Sequence, residues 1–282
     1  SLRPSPGRGD AGVLGVGDTS RMRQRAAYAG ALTAAALALA SCGATSSTQQ
    51  PVPVSSAWRP GLFADGYGPT GLGPSPSDTS LSDPDQSRLA SVGLLQADLP
   101  STLKVSLPAD GTSLGIASLS YCNGTFASES ARVARRHTVV LPQSAVPGVA
   151  SEAVVYRTAQ DATIALGELR TAASQCPTHR TATSGTTTLQ FDVVAAPDLD
   201  TSGLVPEADR VVIATDVSSP GDTSTAYRLV RVWQQRGRVL VGLLYSGATT
   251  EFTDSDRSNV HLLTAGIASR LDALPSSFTG SG

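Results

Sequence analysis

Lysine is nearly missing from this 282-residue chain: Lys104 is the only one, and charged residues of every kind make up 16%. Nucleic-acid backbones are held by a dense basic face, so a nucleic-acid partner is not expected. Of the 21 basic and 23 acidic residues, five and two precede Cys42, which leaves the remainder acidic by five charges. Zinc-protease and dithiol signatures are missing as well, since neither H-E-x-x-H nor C-x-x-C occurs. Gly66-Tyr67-Gly68-Pro69-Thr70-Gly71 spells the dinucleotide fingerprint, but Pro69, Pro74 and Pro76 crowd the place where its helix would start. No cofactor, no metal and no catalytic residue is expected.

What the chain does have begins at its single methionine, Met22. Arg23 and Arg25 follow, then an apolar stretch from Ala26 to Ala40, the order of a secretory signal. About 15 apolar residues are too few to cross a bilayer core that needs roughly 20. The string Leu39-Ala40-Ser41-Cys42 resembles the lipobox of bacterial lipoproteins. That resemblance implies a diacylglyceryl group on the Cys42 thiol, cleavage just before it and further acylation of its amine. One acyl chain binds a membrane marginally and two hold it stably, at about 0.8 kcal/mol per buried CH₂. On this reading residues 22–41 are a cleaved lipoprotein signal peptide, and residues 1–21 lie upstream of the natural start. The membrane lipid is the first partner expected.

From Cys42 to residue 84 the chain is dense in Ser, Thr, Pro, Gly and Gln, as in "GYGPTGLGPSPSDTSLSDPD". Such a composition buries too little apolar surface to offset chain entropy and reads as a flexible tether. Residues 85–276 read as one domain, with 277–282 as a disordered tail. A helix is expected over Ser87–Pro100 and strands over Thr112–Cys122, Arg132–Leu141 and Ser151–Arg157. The next helix runs from Thr158 to Gln175, with Thr158 and Asp161 as a capping pair and Ala162, Leu166, Leu169, Ala173 and Cys176 on one stripe. Four strands follow, near "TTTLQFDVV", "DRVVIATDV", "AYRLVRVWQQ" and "RVLVGLLYS", the last two forming a hairpin about Arg236-Gly237. A helix capped by Thr253 or Asp254 then ends at Pro275. Successive strands broken by two helices indicate an α+β fold, an antiparallel sheet with helices packed on one face.

With Cys42 assigned to lipid, Cys122 and Cys176 remain. In an exported chain such a pair reads most simply as a disulfide, the alternatives being buried thiols or a metal pair. Arg132, Arg135 and Arg136 with His137 form the densest basic cluster. They are candidate anion contacts, with Arg135 and His137 on one strand face and Arg136 on the other. The plainer reading is a solvated strand face balanced by Glu129 and Glu152. His137, His179 and His261 stand apart from one another in the sequence, as ordinary structural or solvated histidines do.

"YCNGTFASE" (Tyr121–Glu129), "SEAVVYRTAQDATIALGELRTAASQCP", the late hairpin and the terminal helix together resemble a known family. It comprises the extracellular sensor domain of the mycobacterial serine/threonine kinase PknH and free-standing actinobacterial lipoproteins like it. The resemblance spans about Leu89–Leu274. It implies a Cys122–Cys176 disulfide and a sensing or binding role on the extracytoplasmic face, without kinase activity. The expected function is therefore a lipid-anchored, non-enzymatic module that binds an envelope ligand. A scaffold for another envelope protein and a hydrolase with a non-sequential site are the alternatives.

Overall fold

The computed structural model describes residues 71–72, 83–122, 124–141, 148–184, 187–220 and 222–280. The leader, Cys42 and all of the expected tether except Gly71, Leu72 and its last two residues lie outside them.

Ten strands are present among these residues. In chain order they are β1 (Gly71–Leu72), β2 (Lys104–Ser106), β3 (Thr125–Phe126), β4 (Arg132–Leu141) and β5 (Gly148–Tyr156). Then come β6 (His179–Ser184), β7 (Thr187–Val194), β8 (Arg210–Ser219), β9 (Asp222–Arg236) and β10 (Val239–Ser246). Eight of them form one sheet in the order β2-β4-β5-β10-β9-β8-β7-β6, every pair antiparallel. Gly71 and Leu72, inside the segment read as tether, pair in parallel with Thr125 and Phe126.

The helices are α1 (Asp83–Val92), α2 (Ala159–Gln175), α3 (Asp254–Asp272) and the short α4 (Ser276–Thr279). The fold is the α+β class expected, but the helices divide between the two faces of the sheet rather than sharing one. On one face Ala162, Leu166 and Leu169 of α2 pack with Val154, Tyr156, Trp233 and Leu240. On the other, Leu89 and Val92 of α1 and Val260, Ile267 and Leu271 of α3 pack with Val155, Val230, Val232 and Val241. The reason lies in β10, where Val239 to Tyr245 is a nearly unbroken apolar run. Leu240 and Leu244 join the first cluster, while Val239, Val241, Leu243 and Tyr245 join the second. A strand covered on one face alternates apolar and polar; one covered on both does not.

Local chemistry sets the ends of the long helices. Asp161 N–H donates to Thr158 Oγ1 at 3.1 Å and Thr158 N–H donates back to Asp161 Oδ2 at 3.1 Å. Thr253 and Asp256 repeat the arrangement at 3.1 and 2.9 Å for α3. These reciprocal bonds satisfy amide donors that the first turn of a helix leaves open. Between β9 and β10 the chain turns at Gly237, whose φ of +53° suits a residue without Cβ.

Three expectations are corrected. The helix over Ser87–Pro100 stops at Val92, and only a single turn of 3₁₀ helix follows at Gln96–Asp98. At the break, Leu94 N–H donates to Ser151 Oγ at 2.8 Å and Arg270 holds the Gly93 carbonyl at 2.8 Å, which fixes the chain out of helix. The strand over Thr112–Cys122 is an irregular strap, because buried side chains rather than a neighbouring strand satisfy its backbone. The tail is ordered as far as Gly280: Phe278 and Thr279 are buried, and Arg238 donates to the carbonyls of both. Sequence patterning also passed over β6, whose residues "HRTATS" carry no apolar alternation.

Candidate functional site

The basic cluster of β4 lies beneath that strap. Strand pairing sets Glu152 opposite His137, on the face where Arg135 also points. Arg135 grips Glu152 with two bonds, Nε to Oε1 at 2.7 Å and Nη2 to Oε2 at 2.9 Å. Ser118 Oγ donates to Glu152 Oε1 at 2.6 Å, and His137 Nδ1 lies 3.0 Å from Oε2. Glu129 accepts the amides of Ser118 and Leu119 at 3.0 and 2.9 Å and pairs with Arg132 at 2.9 Å. Glu129, Arg132, Arg135 and Glu152 are each at most 3% exposed.

The remaining arginine donors are spent on the strap. Arg132 reaches the carbonyls of Ile116 and Leu114, both at 2.8 Å. Arg135 Nη1 reaches those of Asp110 and Ser113 at 3.0 and 3.2 Å. The cluster is thus not a solvated strand face. Arg132 and Arg135 turn their guanidinium groups onto internal acceptors, while half-buried Arg136 lies on the opposite face beside Ala153. Among the described residues Arg136 alone of the three candidate anion contacts makes no side-chain hydrogen bond.

The two carboxylates diverge in affinity for protons. Burial pushes Glu129 up from its ordinary 4.5 to about 7, against the pull of Arg132 and the two amides, and the Glu152 charge adds to the rise. Burial also opposes the charge of Glu152. There the Arg135 charge and the hydrogen bonds from His137 and Arg135 win, and its pKa falls to about 2.

Such an arrangement holds a strap and does not activate a nucleophile. Ser118, Glu152 and His137 are in contact, yet the carboxylate sits in the middle and takes the serine proton's hydrogen bond itself. A base titrating near 2 is a poor proton acceptor at neutral pH. A serine-hydrolase string does occur on the strap: Gly111-Thr112-Ser113-Leu114-Gly115 fits G-x-S-x-G. A nucleophile elbow needs a strand before it and a helix after it, and here neither flanks Ser113. Among the described residues its hydroxyl accepts only the Gly115 amide, at 3.3 Å.

Cys122 and Cys176 are joined, with Cα atoms 5.6 Å apart, so the strap's far end is tied to the C-terminus of α2. Cys122 has a φ of +53°, an uncommon conformation for a residue with a Cβ. Elsewhere, His179 Nδ1 contacts Asp192 Oδ1 at 2.5 Å on an exposed edge, and His261 Nδ1 contacts the Asp200 carbonyl at 2.8 Å. Among the described residues no three His, Cys, Asp or Glu side chains converge as metal ligands, and no helix is long and apolar enough to cross a membrane.

No protein-family model matches the chain, and no curated protein matches it. Among the solved structures that match are two with low TM-scores. One is the extracellular domain of PknH from Mycobacterium tuberculosis, 14% identical with a TM-score of 0.36, the match covering 70% of this chain and 93% of that one. The other is an Rv0999 ortholog from Mycobacterium smegmatis, 14% identical with a TM-score of 0.27, over 61% of this chain and 78% of that one.

Proposed function

We propose that this chain is a lipoprotein of the cytoplasmic membrane's outer face, carrying a non-enzymatic, sensor-like binding domain. The observation that carries the reading is the Cys122–Cys176 bond in a domain that lies downstream of Leu39-Ala40-Ser41-Cys42. Disulfides of this kind persist in oxidising compartments and are rare in the cytosol. A lipidated Cys42 explains how the domain stays at the membrane, and the Ser/Pro/Gly-rich stretch to residue 84 supplies reach. The protons of the buried cluster are committed to structural bonds, which favours binding over catalysis.

Two experiments test the parts separately. In cell fractionation, Cys42→Ser should move the protein from the membrane to the soluble extracytoplasmic fraction; membrane retention of the variant contradicts the anchor. In thermal-shift screening against envelope lipids, glycans and peptides, at least one saturable shift is expected. A flat response across the panel contradicts the binding role.

A further inference from the structure

Residues of an antiparallel strand alternate between those that bond to one neighbour and those that turn their N–H and C=O away from it. Just before β6 the Thr178 carbonyl accepts the Val193 N–H at 2.8 Å, and the pairs Arg180–Phe191, Ala182–Leu189 and Ser184–Thr187 follow in step. His179, Thr181 and Thr183 therefore point their backbone groups outward, at the end of the eight-stranded sheet. No backbone group of another described residue pairs with them there. An open edge invites pairing, and sheets ordinarily blunt theirs with shortness, Lys, Pro, a bulge or a covering loop. The far edge of this sheet is blunted in that way. There β2 has three residues, Lys104 among them, and the His137 N–H beyond it donates to the Gly111 carbonyl of the strap at 2.7 Å. By contrast β6 has six residues, no Lys, no Pro and no break in register. Its one arginine does not guard the edge, since the Arg180 guanidinium lies over the Phe191 ring, 4.2 Å from the centroid.

We propose that β6 is a self-association edge, pairing antiparallel with β6 of a second copy about a two-fold axis at Thr181. This register sets outward residues against outward residues throughout: Thr181 opposite Thr181, and His179 opposite Thr183 on either side of the axis. Each such pair exchanges both of its N–H···O bonds. Arg180 then stands opposite Ala182, so no charge meets its own copy, and like charges directly opposite one another destabilise a ladder. Sliding one copy by two residues loses this fit. One direction brings Arg180 onto Arg180, and the other carries His179 past Ser184, where the strand ends. A patch that complements itself is what a two-fold interface requires. Thr181 is exposed and Ala182 half-buried, so no bulky side chain stands at the axis. So short a strand pair covers less than the roughly 1,200–2,000 Å² of a stable interface, which makes the association weak and reversible. The pairing needs neither lipid nor ligand, and its failure would leave the proposed binding role standing.

The test is sedimentation velocity of the full chain in a concentration series reaching about 1 mM, where weak complexes form. The wild type is expected to dimerise. Thr181→Lys and Thr181→Glu each put two like charges at the axis, and each should weaken dimerisation about five-fold. Mixed in equal amounts, the two variants should recover it, because Lys then faces Glu. Association through any other surface would be indifferent to residue 181. The Thr181 side chain is exposed, and an unchanged thermal midpoint confirms that each variant is folded. Amide hydrogen exchange gives an independent reading: His179, Thr181 and Thr183 should gain protection as concentration rises. A monomeric wild type, variants that dimerise as well as it does, or a mixture without recovery would each overturn the proposal. A monomer that protects the same three amides would assign the edge to another segment of the chain and overturn it as well.

Discussion

At the residue scale, the two buried glutamates give stability opposite dependences on pH. Glu129 binds its proton more tightly folded (about 7) than at its ordinary value of 4.5. Its contribution is therefore fully present below pH 4.5 and is lost as pH rises through about 7. Glu152 binds its proton more weakly folded (about 2) than at 4.5, so its contribution is present above pH 4.5 and is lost as pH falls through about 2. Urea unfolding followed across this range should show Glu129→Gln flattening the decline between pH 4.5 and 7. Glu152→Gln should flatten the decline below 4.5. An unaltered profile in either variant contradicts the assignment. Arg135→Met should cost about 3–5 kcal/mol near neutral pH, because it leaves the Glu152 charge buried without its main partner.

At the scale of elements, Trp233 of β9 lies over Gly242 of β10, its cross-strand partner, and a Cβ on Gly242 would come within 2.7 Å of the indole. Gly242→Ala should destabilise the protein by about 1–3 kcal/mol through overpacking, read as a lower denaturant midpoint with unchanged slope. A neutral effect would mean that the central strands have slack. Phe278 of α4 is held between Arg88 and Arg238, with ring centroid distances of 5.6 and 5.4 Å. Phe278→Ala should cost about 3–5 kcal/mol, whereas a disordered tail would tolerate it.

What was legible in the sequence follows from how local each signal is. Thr158 with Asp161 and Thr253 close to Asp256 mark helix starts within four residues, so α2 and α3 could be read directly. The apolar run of β10 carried the sign of a sheet covered on both faces, although alternation alone did not place the helices. The strap could not be read, since its carbonyls are satisfied by Arg132 and Arg135, which lie 16 to 25 residues further along. Strand alternation put Arg135 and His137 on one face and Arg136 on the other. The burial of that face, and the role of Ser118 in it, depend on contacts that no spacing encodes.

At the scale of the whole molecule, the disulfide closes a loop spanning 54 positions and ties the strap to α2. Reduction, or Cys122→Ser with Cys176→Ser, should cost about 4 kcal/mol by the chain-entropy relation. A loss below 1 kcal/mol would show that the charge cluster alone secures the strap. The account of the protein as a whole rests on where Cys42 is held, and metabolic labelling of the host cell with a clickable palmitate analogue addresses that most directly. Label should appear on the wild-type protein and vanish in Cys42→Ser. A wild-type protein that stays unlabelled, under conditions that label a known lipoprotein, contradicts a lipid-anchored domain outside the cell.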